Sequence, residues 1–425
     1  ADWEGLHEVL KSQDWSWLTH VNAHECAKGL TEKILSLSRQ FIPQRTVHER
    51  KSTHPWINDR VLELVRAKRA VEGTSLDEVW RQQCSKGILE EYGKYIQKER
   101  ASLQTMRRGA KGWWSKSRKL SQKRGVVSSV PALRNLSGQW IFQPQEKADS
   151  FAQTFANKAK LLAAVSNDYS RIEQSRGDRQ GPLKIVSEAD CEKCLSSLRE
   201  DSGTGPDSLP ARMLKKYATV LAKPVQLLTT LIISTGVWPE IWLLHWIAPL
   251  YKKKSSFDAN NYRGIHLTAQ LSKVVERLIK SLYLPYVTAA CSFGPNQFAY
   301  TEGRGARDAL AMLVLTWVKA LAARKKVAVY CSDVSGAFDR VRMERLVAKL
   351  KAKMVHPNVV AVLASWLRPR RAHVVVEGQQ SSELALANTV FQGTVLGPML
   401  WNLFFEDARE AINDCFSQKL HLSTI

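Results

Sequence analysis

Residues Val327-Ala-Val-Tyr-Cys-Ser-Asp333-Val-Ser-Gly-Ala-Phe338-Asp339 decide how this chain is read. An apolar run ends in a carboxylate and is followed by small residues and an aromatic. Alternation puts Val327, Val329, Cys331 and Asp333 on one face, with Ala328 and Tyr330 on the other. No charge precedes Asp333 in the run, as expected of a central strand buried on both sides. Val341, Leu346, Val347 and Leu350 then return at near-helical spacing. A carboxylate at the end of a buried strand is a place where an enzyme can hold a metal ion rigidly. The simpler reading of this stretch alone is an Asp that caps the following turn.

Composition narrows the choice. At 425 residues and 44% apolar content, the chain has room for two or three domains with real cores. Lys and Arg number 62 against 40 acidic residues, a net charge of +22. That excess points to a polyanionic partner, because neutralising phosphates is what such charge does best. No apolar run approaches the roughly 20 residues that span a bilayer, so no membrane partner is expected. No secretory signal opens the chain. The cysteines, Cys26, Cys84, Cys191, Cys194, Cys291, Cys331 and Cys415, are odd in number and dispersed, which argues for a reducing compartment. Cys191 and Cys194 form the single CxxC, with no second pair to complete a zinc site. Their spacing also fits one helix face.

On the N-terminal side, residues 1–163 read as helical and polar, with apolar stripes at Leu30, Ile34 and Leu37 and at Val61, Leu64 and Val65. From Lys94 to Arg124 there are eleven basic residues and one acid, with Trp113-Trp114 in the middle. Lys111, Lys116 and Lys119 are the candidate nucleic-acid contacts there, since cations interleaved with aromatics suit a phosphate backbone and stacked bases. A solvated helix with two packed tryptophans explains the same residues. Residues 164–182 have linker composition.

Beyond the linker, Asp201–Pro210 is a turn-rich loop, Leu209–Ile233 has helical spacing, and His245–Tyr251 reads as a strand. That strand runs into Lys252-Lys253-Lys254 and then Asn261-Tyr262-Arg263-Gly264-Ile265. A strand, a lysine cluster and an arginine can cradle a triphosphate, with Lys as a point charge and Arg as a fork. Val390-Phe391-Gln392-Gly393 through Gly397-Pro398 precedes a helical pattern at Leu400, Phe404, Ala408 and Ile412. Gly393 permits a close backbone approach. Gln392 is placed to hydrogen-bond a ligand or to cap its loop.

These pieces, in this order, resemble the reverse transcriptase of non-LTR (LINE-type) retrotransposons over about residues 185–425. Gly205-Pro206-Asp207 with Pro210 resembles the family's PGPDGIP motif. Asn261–Ile265 with Ser272-Lys273 and Glu276-Arg277 is similar to NYRPI…SK..E, although Gly264 stands where proline is usual. Gln297-Phe298 through Gly303-Arg304 and Asp308-Ala309-Leu310 resembles QFGFR.GRST.DAL, with departures at Ala299, Thr301 and Gly305. Asp333–Asp339 matches the first catalytic motif, and Gln392-Gly393 through Pro398 the next.

The resemblance implies an α+β fold: right-hand fingers and the start of the palm over 183–325 and a partial palm over 326–425, whose antiparallel sheet carries Asp333. A helical basic connector at 1–163 would precede them, joined by the 164–182 linker. It implies RNA-directed DNA synthesis on an RNA template from a DNA primer with deoxynucleoside triphosphates. Asp333 would be a ligand of two Mg²⁺ ions, Arg263 would contact the triphosphate, and Phe338 would crowd the sugar 2′ position. Gln392 and Gly393 would lie beside the templating pair, while Asp339 reads as a structural cap. The family further implies a nuclear location. Its Asp-Asp motif is not found before Ile425, so the expectation is a truncated chain with one of three metal carboxylates. The alternative is an inactive remnant that only binds nucleic acid.

Overall fold

The computed structural model describes residues 1–20, 22–43, 55–121, 130–135, 137–160, 172, 177, 179–290, 297–329, 331, 333–334, 336–387 and 390–415. They fall into two compact units, one made of Ala1–Pro43 with Pro131–Ile425 and the other of Gln44–Val130.

The first unit opens with α1 (Trp3–Ser12) and α2 (Ala23–Phe41). Asp2 caps α1 by accepting from the Gly5 N–H at 2.9 Å, and Asn22 caps α2 by accepting from Glu25 N at 3.0 Å. The Leu30, Ile34 and Leu37 stripe of α2 is buried, as its spacing predicts. The second unit holds α3 (Asp59–Ala70), α4 (Asp77–Thr105) and α5 (Lys111–Ser121), with α3 tied to α4 by Arg60 between Glu90 and Glu91.

The first unit resumes with the short strands β1 (Leu133–Arg134) and β2 (Trp140–Ile141), then α6 (Pro144–Lys158), α7 (Glu188–Ser196), α8 (Ala211–Lys216) and α9 (Ala218–Thr235). Helix α9 is apolar and long enough to cross a membrane by length and composition. Here its Leu221, Val225, Leu228 and Ile232 are buried in the core with Leu6, Leu10 and Leu30. The N-terminal helices therefore pack with the body of the first unit. Helix α6 likewise packs on the sheet, with Phe151 edge-on to Tyr262 at 4.9 Å.

Strands β3 (Leu244–Tyr251) and β4 (Tyr262–Leu267) form a hairpin, followed by α10 (Gln270–Leu282), α11 (Ala306–Ala322), α12 (Met343–Ala352) and α13 (Pro357–Trp366). Strands β5 (Arg370–Val376), β6 (Gln379–Gln380) and β7 (Leu384–Leu386) and the helix α14 (Gly397–Cys415) complete the described chain. The sheet order is β4-β3-β5-β6, with β7 also on β5. Helices and sheet together give the mixed fold expected.

Two expectations about the sheet need correction. It is not purely antiparallel: β3 and β5 run parallel, pairing Leu244–Ile247 with Arg371–Val374. Nor does it carry Asp333. The described residues of 325–334 form no strand, Val329 is 57% exposed, and Asp333 is exposed. Alternating apolar residues make a strand only when a neighbour takes up their N–H and C=O groups. Among the described residues no strand does so here.

Candidate functional site

The β3–β4 connection is built by its own polar residues. Lys252 N donates to Asn261 O at 2.9 Å, Asn261 Nδ2 to Ser255 O at 2.9 Å, and Tyr262 Oη to Ser256 O at 2.7 Å. Asp258 accepts from Asn260 N at 2.8 Å, an Asx turn that a strand-to-strand loop favours. Lys252, Lys253 and Lys254 are left exposed, and so is Arg263 on β4. Next to Arg263, a Cβ on Gly264 would lie 2.9 Å from Ile247 and 3.3 Å from Phe155. Tight packing of α6 and β3 thus explains a glycine there.

The 391–396 loop is laid against the same strand. His266 N donates to Gln392 O at 2.8 Å. Gly393 has φ +111°, and a Cβ there would meet the His266 carbonyl oxygen at 2.5 Å. Phe391 is buried between His245 and His266, with ring centroids 5.3 and 4.7 Å away, and the Arg370 guanidinium lies 5.5 Å from its ring. The loop then ends at Glu276, which accepts from Val395 N at 2.7 Å and Leu396 N at 3.1 Å just before α14 begins.

At the N-terminus of α10, buried Asp207 accepts from Gln270 N at 2.6 Å. A Cβ on Gly205 would meet Thr268 O at 2.2 Å. Asp207, Gly205, Glu276 and Gly393 thus all converge on β4 and α10, although they are scattered through the sequence.

Burial dominates the electrostatics of this corner. It pushes Asp207 up to about 6, against the backbone N–H groups that favour its charged form. It also raises Glu276. The two histidines share a 3.0 Å Nδ1···Nδ1 contact. Burial first, then the Arg370 charge, holds His266 down at about 3, and burial with the neighbouring His266 drives His245 well below its ordinary value. Both rings are therefore neutral at physiological pH. Desolvation lowers even Arg370, to about 9.

Of the residues singled out from sequence, Arg263 lies on β4 three residues before His266, whose N–H holds the Gln392 carbonyl beside Gly393. Asp333 stands apart, exposed and, among the described residues, making no hydrogen bond or ion pair. Phe338 is half-buried, stacked on Trp401 at 5.9 Å and edge-on to Tyr300 at 6.1 Å. Asp339 is half-buried, and desolvation raises its pKa against the charges of Lys158 and Arg340. Lys158, whose Nζ donates to Asn260 O at 2.9 Å, links Asp339 to the basic loop.

In the second unit, Lys116 pairs with Glu99 at 3.2 Å and donates to Ser102, and Trp113 is edge-on to Trp114 at 4.7 Å. The Lys111 and Lys119 side chains lie outside the described residues. Cys191 is buried on its helix, and burial pushes its thiol up to about 12.

Sequence reasoning quoted Glu276 and Asp207 inside motifs but gave them no role, and it passed over Arg370, His245 and His266. A lone buried polar residue in an apolar stretch was the available signal. A Mg²⁺ pair needs several oxygen ligands at one point. Among the described residues no three His, Cys, Asp or Glu side chains converge to hold a metal, so they do not fit that site.

Residues 251–423 match the family described as reverse transcriptase (RNA-dependent DNA polymerase). The chain is 27% identical over 281 residues to the RNA-directed DNA polymerase from mobile element jockey of Drosophila melanogaster, covering 65% of this chain and 31% of that protein. It is 26% identical over 294 residues to the jockey polymerase of Drosophila funebris, covering 67% and 32%. It is 27% identical over 303 residues to the probable RNA-directed DNA polymerase from transposon X-element of Drosophila melanogaster, covering 69% and 32%. The chain spans about a third of the length of these relatives.

Proposed function

The chain belongs, over residues 251–423, to the reverse transcriptase family as found in non-LTR mobile elements, and from that premise we propose a nucleotide- and template-holding role. In this reading it is part of an RNA-directed DNA polymerase that extends a DNA primer on an RNA template. Arg263 and Lys252–Lys254 take the triphosphate, the first as a fork and the others as mobile point charges. Gln392 and the exposed Gly393 lie against the templating base pair. Phe338 crowds the 2′ position of the incoming sugar. The +22 charge, with Lys111, Lys116 and Lys119 among its carriers, holds the template and primer by their phosphates.

The observation that supports this most is the His266–Gln392 hydrogen bond, which attaches the Gln-Gly loop to the strand that carries Arg263. It is tested by equilibrium binding of a deoxynucleoside triphosphate and, separately, of a single-stranded RNA. Arg263→Ala should weaken the triphosphate at least tenfold, about 1.4 kcal/mol, and leave RNA affinity within twofold. Equal loss of both, or no loss of the first, would overturn the assignment. The alternative, a protein that only binds nucleic acid, predicts salt-sensitive RNA binding with no triphosphate binding at all.

A further inference from the structure

Gln392 and Gly393 are held from three sides. On one side Phe391 is fixed by the buried histidines and the Arg370 guanidinium. In the middle, His266 N holds Gln392 O. On the far side, Glu276 Oε2 takes the N–H groups of both Val395 and Leu396.

That last contact is unusual in its cost. Glu276 is 1% exposed, and a carboxylate so far from water is unfavourable unless fully partnered. Its partners are all present: the two backbone N–H groups, Ser272 Oγ at 3.4 Å from Oε1, the Trp366 side chain, and the charge of Arg370. The same Arg370 sits over both the Trp366 and Phe391 rings, and its own Nη1 donates to Arg368 O at 2.6 Å. Arg370 thus bears on both ends of the loop, by its charge on Glu276 and by its guanidinium over Phe391, while within the loop the buried Thr394 Oγ1 donates to Phe391 O at 2.8 Å. A serine cap would satisfy one such N–H at the surface at far lower cost. A buried carboxylate instead ties the loop to the rigid interior of α10, the helix that follows the strand bearing Arg263.

We infer that Glu276 is a positioning residue: by clamping Val395 and Leu396 it sets the height of Gln392-Gly393 over β4, and so the affinity for the nucleotide. The inference rests on the function proposed above, and two readouts keep the two apart. The first is amide hydrogen exchange on the full chain, which needs no ligand. Glu276→Ala should speed exchange at Val395 and Leu396 at least tenfold, with β3 and β4 protected as before. Glu276→Gln, which keeps an acceptor oxygen but no charge, should fall between and carries the test if the alanine variant does not fold. The second is the dissociation constant for a deoxynucleoside triphosphate, expected to rise at least tenfold in Glu276→Ala, partly rescued in Glu276→Gln, with RNA affinity within twofold of wild type.

Exchange that rises evenly across the sheet makes Glu276 a stability residue and overturns the inference. So does faster exchange at 395–396 with unchanged nucleotide affinity. If the unaltered chain binds no triphosphate, the functional reading falls, while the exchange result still decides whether the clamp exists.

Discussion

His266 gives its N–H to the carbonyl of Gln392, and its own carbonyl stands where a side chain on Gly393 would begin. One residue of β4 therefore both attaches the loop and dictates that the next position be glycine.

Gly393→Ala should be badly tolerated for two independent reasons, a φ of +111° and a Cβ 2.5 Å from a backbone oxygen. Gly205→Ala meets a similar obstacle, the Thr268 carbonyl at 2.2 Å. Each should lose about 1–3 kcal/mol in urea unfolding. Gly93→Ala, in α4 with open space around it, should gain about 1 kcal/mol instead. Similar costs at all three would show that the close approaches are not real.

Acid should act on Asp207 and His266 in opposite senses. Asp207 is raised on folding from 3.8 to about 6, so its contribution is complete below about pH 4 and is lost as pH rises through 6. His266 is lowered from 6.5 to about 3, so its contribution is complete above about 6.5 and is lost as pH falls. Urea midpoints between pH 4 and 7 separate them. Relative to wild type, Asp207→Asn should gain as pH rises and His266→Gln should gain as pH falls. Differences that do not move with pH would contradict both burials.

Phe338→Ala removes a ring stacked on Trp401 and should cost about 1–3 kcal/mol by urea unfolding. If the ring also crowds the sugar, the variant should bind ribonucleoside triphosphates better relative to deoxynucleoside triphosphates. A preserved ratio would leave Phe338 as a packing residue only.

Helix α11 exposes Leu310, Leu315, Val318 and Leu321, a contiguous kind of apolar surface that invites self-association. Leu315→Lys with Val318→Lys should raise solubility and lower dye binding while leaving the urea midpoint within about 0.5 kcal/mol. A large loss of stability would mean that these side chains are packed.

The elements with strong periodicity were legible: the His245–Tyr251 strand, the α2 stripe and the helix after Pro398 all stand where the spacing puts them. Arg263 and Gln392 were legible as candidates, but not the attachment of the Gln392 loop to the strand of Arg263, because a hydrogen bond across distant positions leaves no local pattern. The run ending at Asp333 misled, since alternation reports which face a residue would take in a strand and not whether a neighbour exists. Glu276 was quoted within a motif and still given no role. Its work depends on Val395, Leu396 and Arg370, which only folding brings to it.

The parallel pairing of β3 with β5 also has a consequence for how the chain is made. Residues 244–247 leave the ribosome long before their partners at 371–374, and a long loop must close before that ladder forms. Until then β3 has only β4 beside it and offers an open edge to any neighbouring strand. The nascent protein is therefore most vulnerable to mispairing between synthesis of the hairpin and arrival of β5. Slowing translation within that interval should lower the soluble yield more than slowing it after residue 386.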